Sequence, residues 1–202
     1  MNVATLDWGV ASLPLPGESE SGDRCVVAPF DGGVLVAVID ALGHGPEAAH
    51  AAEVAAKVLE ADAREKPGVL FNRCHELMRS TRGAAISAAS LDSRGTMTWL
   101  GVGNVMGVVV RADTAVNPRT KQMVVHGGVV GYQLRDMQPL VLQVEPGDVL
   151  ILATDGVHRD FTNILPAALK PQLLADRILR EYATHIDDAL VLVFHCGDVG
   201  DR

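Results

Sequence analysis

The stretch DRCVVAPFDGGVLVAVID, residues 23–40, contains the pattern that decides the fold. Two short apolar runs flank a DGG turn at residues 31–33, and this arrangement predicts a β-hairpin. The register that such a turn sets places Asp23 opposite Asp40 at the open end of the hairpin. Directly opposed side chains lie about 4.5–5.5 Å apart at Cβ, and like charges at that spacing destabilise a sheet. Two aspartates paired at a strand end therefore call for a functional explanation.

Two helices are predicted to follow this hairpin. An Ala-rich helix is expected over residues 47–64, with Pro46 in its first turn, and a second helix over residues 70–78, where apolar residues recur at the spacing of one helix face. Further along the chain the periodicity predicts a late helix and seven more strands. The helix is expected at 171–182, and the strands at 84–91, 96–102, 106–111, 123–126, 140–144, 149–153 and 189–195.

The order of these elements indicates the fold class. The strands between residues 84 and 126 are expected to form a meander, and the strands at 140–144 and 149–153 a hairpin about the turn EPGD. Two hairpin-rich sheets, interrupted by a helix pair and followed by a late helix, predict an α+β sandwich. A doubly wound parallel sheet fits badly, because strands and helices do not alternate. At this length, residues 1–202 are expected to form a single domain.

Composition excludes several classes of function. The chain carries 17 Lys and Arg against 25 Asp and Glu, a net charge of -8, so it lacks the positive field that nucleic acid requires. No apolar stretch reaches the roughly 20 residues of a membrane span, and no signal peptide is visible at the N-terminus. The three cysteines are widely spaced and form no CxxC motif, which is typical of reduced thiols in a cytoplasmic protein.

More aspartates lie at strand ends in the second half of the chain. Asp155 follows the strand at 149–153, and Asp187 and Asp188 precede the strand at 189–195. If these two strands are antiparallel neighbours, Asp155 and Asp187 meet at one edge of their sheet. Four carboxylates would then converge at one end of the sandwich, with Asp23 and Asp40 as the other two.

Such a cluster requires counter-charge. Two unit charges 4 Å apart repel by roughly 4 kcal/mol at an effective dielectric constant of 20. Oxygen-only ligands favour Mg²⁺ or Mn²⁺ over zinc, and two such ions activate water and clamp a phosphoryl group. The pattern therefore indicates metal-assisted hydrolysis. The alternative is that these are turn aspartates, an interpretation that suits Asp31 and Asp148 and would suit each of the four taken singly.

Four motifs that contain these acids resemble, in order, those of the metal-dependent PP2C-type (PPM) protein phosphatases. They are SGD at 21–23, VIDALGHGPEAA at 38–49, ATDG at 153–156 and DD at 187–188. The GHG segment followed by an Ala-rich helix is similar to the SpoIIE/RsbU branch of that family. The resemblance extends from about residue 7 to residue 195. It implies a PP2C-like four-layer αββα sandwich, in which two antiparallel sheets pack face to face with helices outside.

The resemblance also implies roles for individual residues. Asp40 resembles the carboxylate that bridges two divalent cations, Mn²⁺ or Mg²⁺, and Ala41 stands where a backbone carbonyl, usually that of glycine, binds one of them. Asp155 and Asp187 match the remaining direct metal ligands, and Asp23 matches a residue that acts through metal-bound water. In such a site, water held between the ions attacks phosphoserine or phosphothreonine directly, with Asp40 and Asp155 as catalytic residues.

Within this branch, a chain with no room for an N-terminal sensor resembles the feedback phosphatases of the bacterial stressosome. This resemblance implies a cytoplasmic serine/threonine phosphatase whose partners are phosphorylated STAS-domain stressosome proteins. The alternative is a non-catalytic PP2C-like module that binds phosphoproteins or serves as a scaffold. A two-metal nuclease also uses aspartate clusters, but the acidic charge balance argues against it.

Several roles stay open at the level of sequence. His44 is a candidate catalytic residue that contacts phosphate or donates a proton to the leaving serine oxygen, and the alternative is packing at the helix entry. Asn104 either orients water or phosphate or serves a turn. Asp188 either binds metal or only hydrogen-bonds beside Asp187. The oligomeric state and the choice between Mn²⁺ and Mg²⁺ are not determined.

Overall fold

The computed structural model describes residues 6–163 and 169–197. The strands are β1 (Trp8–Leu13), β2 (Asp23–Phe30), β3 (Gly33–Ala41), β4 (Ala84–Asp92), β5 (Thr96–Val102), β6 (Met106–Val110), β7 (Thr120–Gln122), β8 (Leu140–Gln143), β9 (Asp148–Ala153) and β10 (Ala189–Cys196). The helices are α1 (Pro46–Ala61), α2 (Pro67–Leu77) and α3 (Pro171–Tyr182), and a 3₁₀ helix lies at Arg159–Asn163.

The strands form two antiparallel sheets of five strands each. The first sheet has the order β1-β10-β9-β6-β7, and the second has the order β2-β3-β4-β5-β8. Helices α1 and α2 pack on the outer face of the second sheet, and α3 packs on the outer face of the first. The inner faces of the two sheets pack against each other. The predicted α+β sandwich with four layers, αββα, is confirmed.

Burial on both faces explains the composition of the central strands. In β3, alternate residues point to opposite sides: Leu35, Ala37 and Ile39 face the helices, and Val34, Val36 and Val38 face the other sheet. A strand that is covered on both faces is apolar at nearly every position. Alanines on α1 let the helix lie close to the sheet, and several of them are fully buried.

The hairpin that opens the second sheet has the predicted register. Strands β2 and β3 pair antiparallel, and Asp23 is the partner of Asp40. Strands β9 and β10 are antiparallel neighbours, as the interpretation of Asp155 and Asp187 requires. The three cysteines are free thiols, two of them buried, which confirms that they form no disulfide framework. None of the described helices is long and apolar enough to cross a membrane.

Two expectations about strand pairing are wrong. Residues 140–144 and 149–153 do not form a hairpin, because β8 pairs with β5 in the second sheet whereas β9 pairs with β6 and β10 in the first. The turn itself forms, since the Asp148 N–H bonds to the Glu145 carbonyl at 3.0 Å. Asp148 is therefore a turn residue as predicted, but the turn connects two sheets.

The expected meander is also interrupted. Strands β4 and β5 pair, but the chain then crosses to the first sheet, where β6 pairs with β9. Residues 123–126 are not a strand, and the partner of β6 on its other side is β7, a few residues earlier. Gly103, at φ +94°, lies at the crossing between the sheets. Since the strands on both sides of it are buried on both faces, periodicity alone does not show which sheet each one joins.

Candidate metal centre

The first pair of acids comes from the open end of the β2–β3 hairpin. Asp23 is buried, with 7% of its surface exposed, and its partner Asp40 is half-buried. The Ala41 N–H bonds to the Gly22 carbonyl at 3.1 Å, which continues the ladder past this pair. The Ser21 hydroxyl oxygen accepts the Asp23 N–H at 3.0 Å. The strand ends that carry the two carboxylates are therefore held in place by hydrogen bonds from their backbone N–H groups.

Thr154, directly after β9, joins this pair to the first sheet. Its hydroxyl donates to Asp23 Oδ2 at 2.8 Å and accepts the Leu190 N–H at 2.9 Å. The Thr154 N–H in turn bonds to the Leu190 carbonyl at 3.1 Å. Thr154 is fully buried, so one side chain connects the acidic ends of both sheets. Although Thr154 lies within the ATDG motif, the sequence analysis gave it no role.

Asp155 follows Thr154 and is more exposed than Asp23 or Asp40. The Asn104 side-chain amide donates to Asp155 Oδ2 at 2.5 Å. Asn104 comes from the segment that crosses from β5 to β6, and its side chain holds an acid of the site, a contact that the sequence analysis did not predict. That it orients water or phosphate stays a prediction. Gly156 is required at the next position, because a Cβ there would lie 1.9 Å from the Asp188 carbonyl oxygen.

The last two acids precede β10 and behave differently from each other. Asp187 Oδ1 accepts the N–H of Asp188 at 2.8 Å. The carboxylate of Asp188 is buried, and its two oxygens accept the N–H groups of Leu15 and Gly22, each at 2.7 Å. Both oxygens of Asp188 thus have backbone partners from the loop before β2. Asp187 is instead half-buried, and its charge acts on Asp155.

The carboxylates raise one another's pKa. Burial is the largest cause for Asp23, whose pKa is raised to about 8, and the charge of Asp40 is the next. The pKa of Asp40 is raised to about 7 by burial and then by the charges of Asp155 and Asp187. Burial and the charge of Asp187 also raise the pKa of Asp155, against the hydrogen bond from Asn104. Three of the acids named in the sequence analysis, Asp23, Asp40 and Asp155, therefore share an environment that disfavours their ionised forms.

The donor set fits divalent cations. Oδ2 of Asp40 is buried and has no hydrogen-bond partner in the described structure, and a buried carboxylate oxygen without a partner is costly. Within residues 6–163 and 169–197, no group of three or more His, Cys, Asp or Glu side chains is already arranged to hold one ion. Mg²⁺ usually keeps several water ligands and binds one or two carboxylates, so two ions need only the acids present here. The set lacks the thiolates and imidazoles that zinc prefers.

The shared pKa shifts predict how the metal-free protein responds to pH. Because Asp23 and Asp40 have a higher pKa when folded than their ordinary value of 3.8, the folded state binds more protons than the unfolded state between about pH 4 and pH 8. Stability then falls as pH rises through this window. In EDTA, we expect the melting temperature to decrease from pH 5 to pH 8, measured by differential scanning fluorimetry.

A divalent cation should reverse this loss. A ligand at about 100 times its dissociation constant stabilises the folded state by about 2.7 kcal/mol, which corresponds to roughly 5–10 °C in melting temperature for a chain of this size. The gain with Mn²⁺ or Mg²⁺ should be larger at pH 8 than at pH 5, and NaCl of equal ionic strength should not reproduce it. A melting temperature that is independent of divalent cations at pH 8 would contradict the metal centre.

His44 lies on the loop between β3 and α1. Its Nδ1 is 2.7 Å from Oε1 of Glu18, a residue of the loop between β1 and β2 that the sequence analysis did not single out. The carbonyl of Gly43 lies 3.3 Å from the position that a Cβ on Gly22 would occupy. Since Gly22 directly precedes Asp23, the His44 loop borders the acidic cluster.

The comparisons with known proteins agree with this architecture. The family "Stage II sporulation protein E (SpoIIE)" matches residues 31–196. No curated protein matches the chain. A structure presented as "The bacterial stressosome: a modular system that has been adapted to control secondary messenger signaling" is 27% identical, with a TM-score of 0.84, over 95% of this chain and 100% of that one.

Two further structures share the fold at lower identity. RsbX in complex with magnesium is 22% identical, with a TM-score of 0.83, over 96% of this chain and 97% of that one. The serine/threonine phosphatase PstP/Ppp of Mycobacterium tuberculosis is 12% identical, with a TM-score of 0.76, over 95% of this chain and 99% of that one. Given the family match over most of its length and the fold that it shares with these structures, the chain belongs to the SpoIIE family and has the PP2C phosphatase fold.

Proposed function

We propose that the protein is a metal-dependent serine/threonine phosphatase that hydrolyses phosphoserine and phosphothreonine in proteins. The observation that carries this proposal is the meeting of Asp23, Asp40, Asp155 and Asp187 at one edge of both sheets. Burial and mutual repulsion raise the pKa of three of these acids. A site of this kind attracts divalent cations, and a phosphate ester brings further oxygen ligands to them.

Each residue of the site would have a separate role. Asp40, with its unpartnered Oδ2, would bridge two cations, Mn²⁺ or Mg²⁺, and the Ala41 carbonyl, Asp155 and Asp187 would complete the direct ligands. Asp23, whose Oδ2 already accepts the Thr154 hydroxyl, would act through a water molecule. Bound cations would supply an activated water and neutralise charge on the phosphoryl group. Asn104 would keep Asp155 oriented, and His44 would protonate the leaving serine oxygen.

The similar structures support a proposal for the substrate. One similar structure comes from work on the bacterial stressosome, and another is RsbX, with nearly complete coverage of both chains. We therefore infer an RsbX-like role, in which the substrates are phosphorylated STAS-domain proteins of a stressosome and the whole chain is one catalytic domain. A cytoplasmic location would accompany this role, and the three free thiols suit a reducing compartment.

Two assays test the proposal. Purified protein should release phosphate from p-nitrophenyl phosphate and from a phosphoserine peptide when Mn²⁺ or Mg²⁺ is present, and EDTA should abolish both activities. Dephosphorylation of phosphorylated STAS-domain proteins, followed by mass spectrometry, tests the substrate. Phosphate release equal to the no-enzyme control with either metal would reject the enzyme and favour a phosphoprotein-binding module. Hydrolysis of the peptide but not of STAS-domain proteins would reject only the stressosome substrate.

A further inference from the structure

The loop between β1 and β2, residues 14–22, is fixed at both ends to the edge that carries the acids. The N–H of Leu15 near its start and the N–H of Gly22 at its end both bond to the carboxylate of Asp188. Between these anchors the Glu18 N–H bonds to the Leu15 carbonyl at 2.9 Å. Glu18 therefore lies in a segment that Asp188 holds at both ends.

Glu18 meets the His44 loop at close range. Its Oε1 lies 2.7 Å from Nδ1 of His44, and its side chain is only 28% exposed. A Cβ on Gly45 would lie 2.9 Å from Glu18 Oε2, so the glycine after His44 makes room for this carboxylate. Gly45 also has φ +74°, a conformation that favours glycine.

A second ion pair holds the other side of the same loop. Arg82, before β4, forms a salt bridge with Glu47 in the first turn of α1. A Cβ on Gly43 would lie 2.5 Å from the Arg82 guanidinium. The two glycines that flank His44 are thus bordered by Glu18 on one side and by Arg82 on the other. His44 Nδ1 lies within hydrogen-bond distance of Glu18, while 51% of the His44 side chain stays exposed.

We propose that Glu18 is a positioning residue that fixes His44 for proton donation to the leaving group. The proposal rests on the proposed phosphatase function. Glu18 accepts the Nδ1 proton, so Nε2 is the nitrogen that remains for a substrate. A partner carboxylate of this kind sets the ring orientation and the tautomer of a histidine.

The proton balance of the step is simple. As the oxygen of a water molecule bonds to phosphorus and the bond between phosphorus and the serine oxygen breaks, the Nε2 proton passes to the serine oxygen, and the products are the serine hydroxyl and phosphate. The ring keeps its Nδ1 proton, which stays bonded to Glu18, and Nε2 recovers a proton from solvent. Glu18 takes up no proton in this step, and its role is to hold the ring.

This role predicts a dependence on the leaving group. A serine alkoxide is a poor leaving group and needs the proton, whereas p-nitrophenolate is stable as an anion and leaves without one. General acid catalysis is worth about 10²–10⁴-fold, and the carboxylate partner of a histidine about 10–100-fold. We therefore expect Glu18→Gln to lower kcat on a phosphoserine peptide by about 10–100-fold while leaving kcat on p-nitrophenyl phosphate nearly unchanged.

The chain offers a matched control. Glu20 is an exposed acid of the same loop, so Glu20→Gln makes the same change of charge two residues away and should leave both activities at the wild-type level. His44→Asn should show the same selective loss on the peptide as Glu18→Gln, and to a greater extent. The double variant should be no worse than His44→Asn alone, because Glu18 acts through His44.

Each result has a definite meaning. If the wild type hydrolyses neither substrate, the proposed function fails and this role fails with it. If the wild type hydrolyses both, and Glu18→Gln lowers both activities equally or behaves like Glu20→Gln, the proposed function stands and the role of Glu18 is rejected. An unchanged melting temperature for Glu18→Gln shows that a selective loss does not come from unfolding. A reduced melting temperature with equal losses would assign Glu18 to loop structure alone and also reject the role.

Discussion

Replacing Asp40 with asparagine is expected to lower metal-dependent hydrolysis of both p-nitrophenyl phosphate and a phosphoserine peptide by about 10³-fold or more. Asp40 is the acid whose buried Oδ2 has no partner among the described residues. Burial, and then the charges of Asp155 and Asp187, raise its pKa to about 7. Asparagine keeps the size of the side chain and removes the charge, so the loss would come from weaker attraction of cations rather than from a change of shape.

The same substitution should not lower the melting temperature of the metal-free protein. Removing one of several mutually repelling buried charges relieves repulsion, so Asp40→Asn should melt in EDTA at or above the temperature of the wild type, and Mn²⁺ should raise that temperature much less. Asp31→Asn is the matched control, because Asp31 is an exposed turn acid that pairs with Arg64 at 3.2 Å. It should leave both activities and the metal effect unchanged. Near-wild-type turnover of Asp40→Asn would reject the assignment of Asp40.

Local rules were sufficient to predict one half of the site. The DGG turn fixes the pairing of β2 with β3 within a few residues, and the pairing of Asp23 with Asp40 follows from it. The proximity of Asp155 to Asp187 was predicted only on the assumption that β9 and β10 are neighbours, which they are, and the charge of Asp187 acts on Asp155. Both predictions use strand ends, where a change of one residue in register would have moved an acid to the other face of the sheet.

What the sequence could not predict depends on contacts between distant segments. The turn at Glu145 to Asp148 is a true turn, but its two strands join different sheets, because their partners are β5 on one side and β6 and β10 on the other. Asp148 is also buried beside Arg111, 37 residues earlier, at 2.6 Å. Thr154 and Glu18 contact their partners across 131 and 26 residues. Neither contact leaves a periodic signal in the sequence.

Asp188→Ala is expected to be the most destabilising substitution at this edge, although it lies beside a proposed metal ligand. Asp188 is 4% exposed, and its carboxylate accepts two backbone N–H groups at 2.7 Å, one at each end of the loop of residues 14–22. Alanine would leave both N–H groups without this acceptor. Since hydrogen bonds to a charged group contribute about 1.5–3 kcal/mol each, the two together are worth several kcal/mol.

A second effect reduces the net loss. The charge of Asp188 opposes ionisation of Asp23 and Asp40, so its removal relieves some repulsion. We therefore expect the free energy of unfolding, measured by urea denaturation in EDTA, to fall by about 2–4 kcal/mol. Against a typical total of about 5–15 kcal/mol, the variant should still fold. Loss of the anchor would also release Glu18, so turnover of the phosphoserine peptide should decrease more than turnover of p-nitrophenyl phosphate.

The neighbouring acid gives the contrast that decides between anchoring and metal binding. Asp187→Asn keeps an oxygen that can accept the Asp188 N–H, 2.8 Å away in the wild type, and removes the charge of a proposed ligand. It should lose most metal-dependent activity and little stability. Asp188→Ala should lose stability while Mn²⁺ still raises its melting temperature. If instead Asp188→Ala unfolds at the wild-type urea concentration and no longer responds to Mn²⁺, then Asp188 binds metal and the loop is held by other contacts.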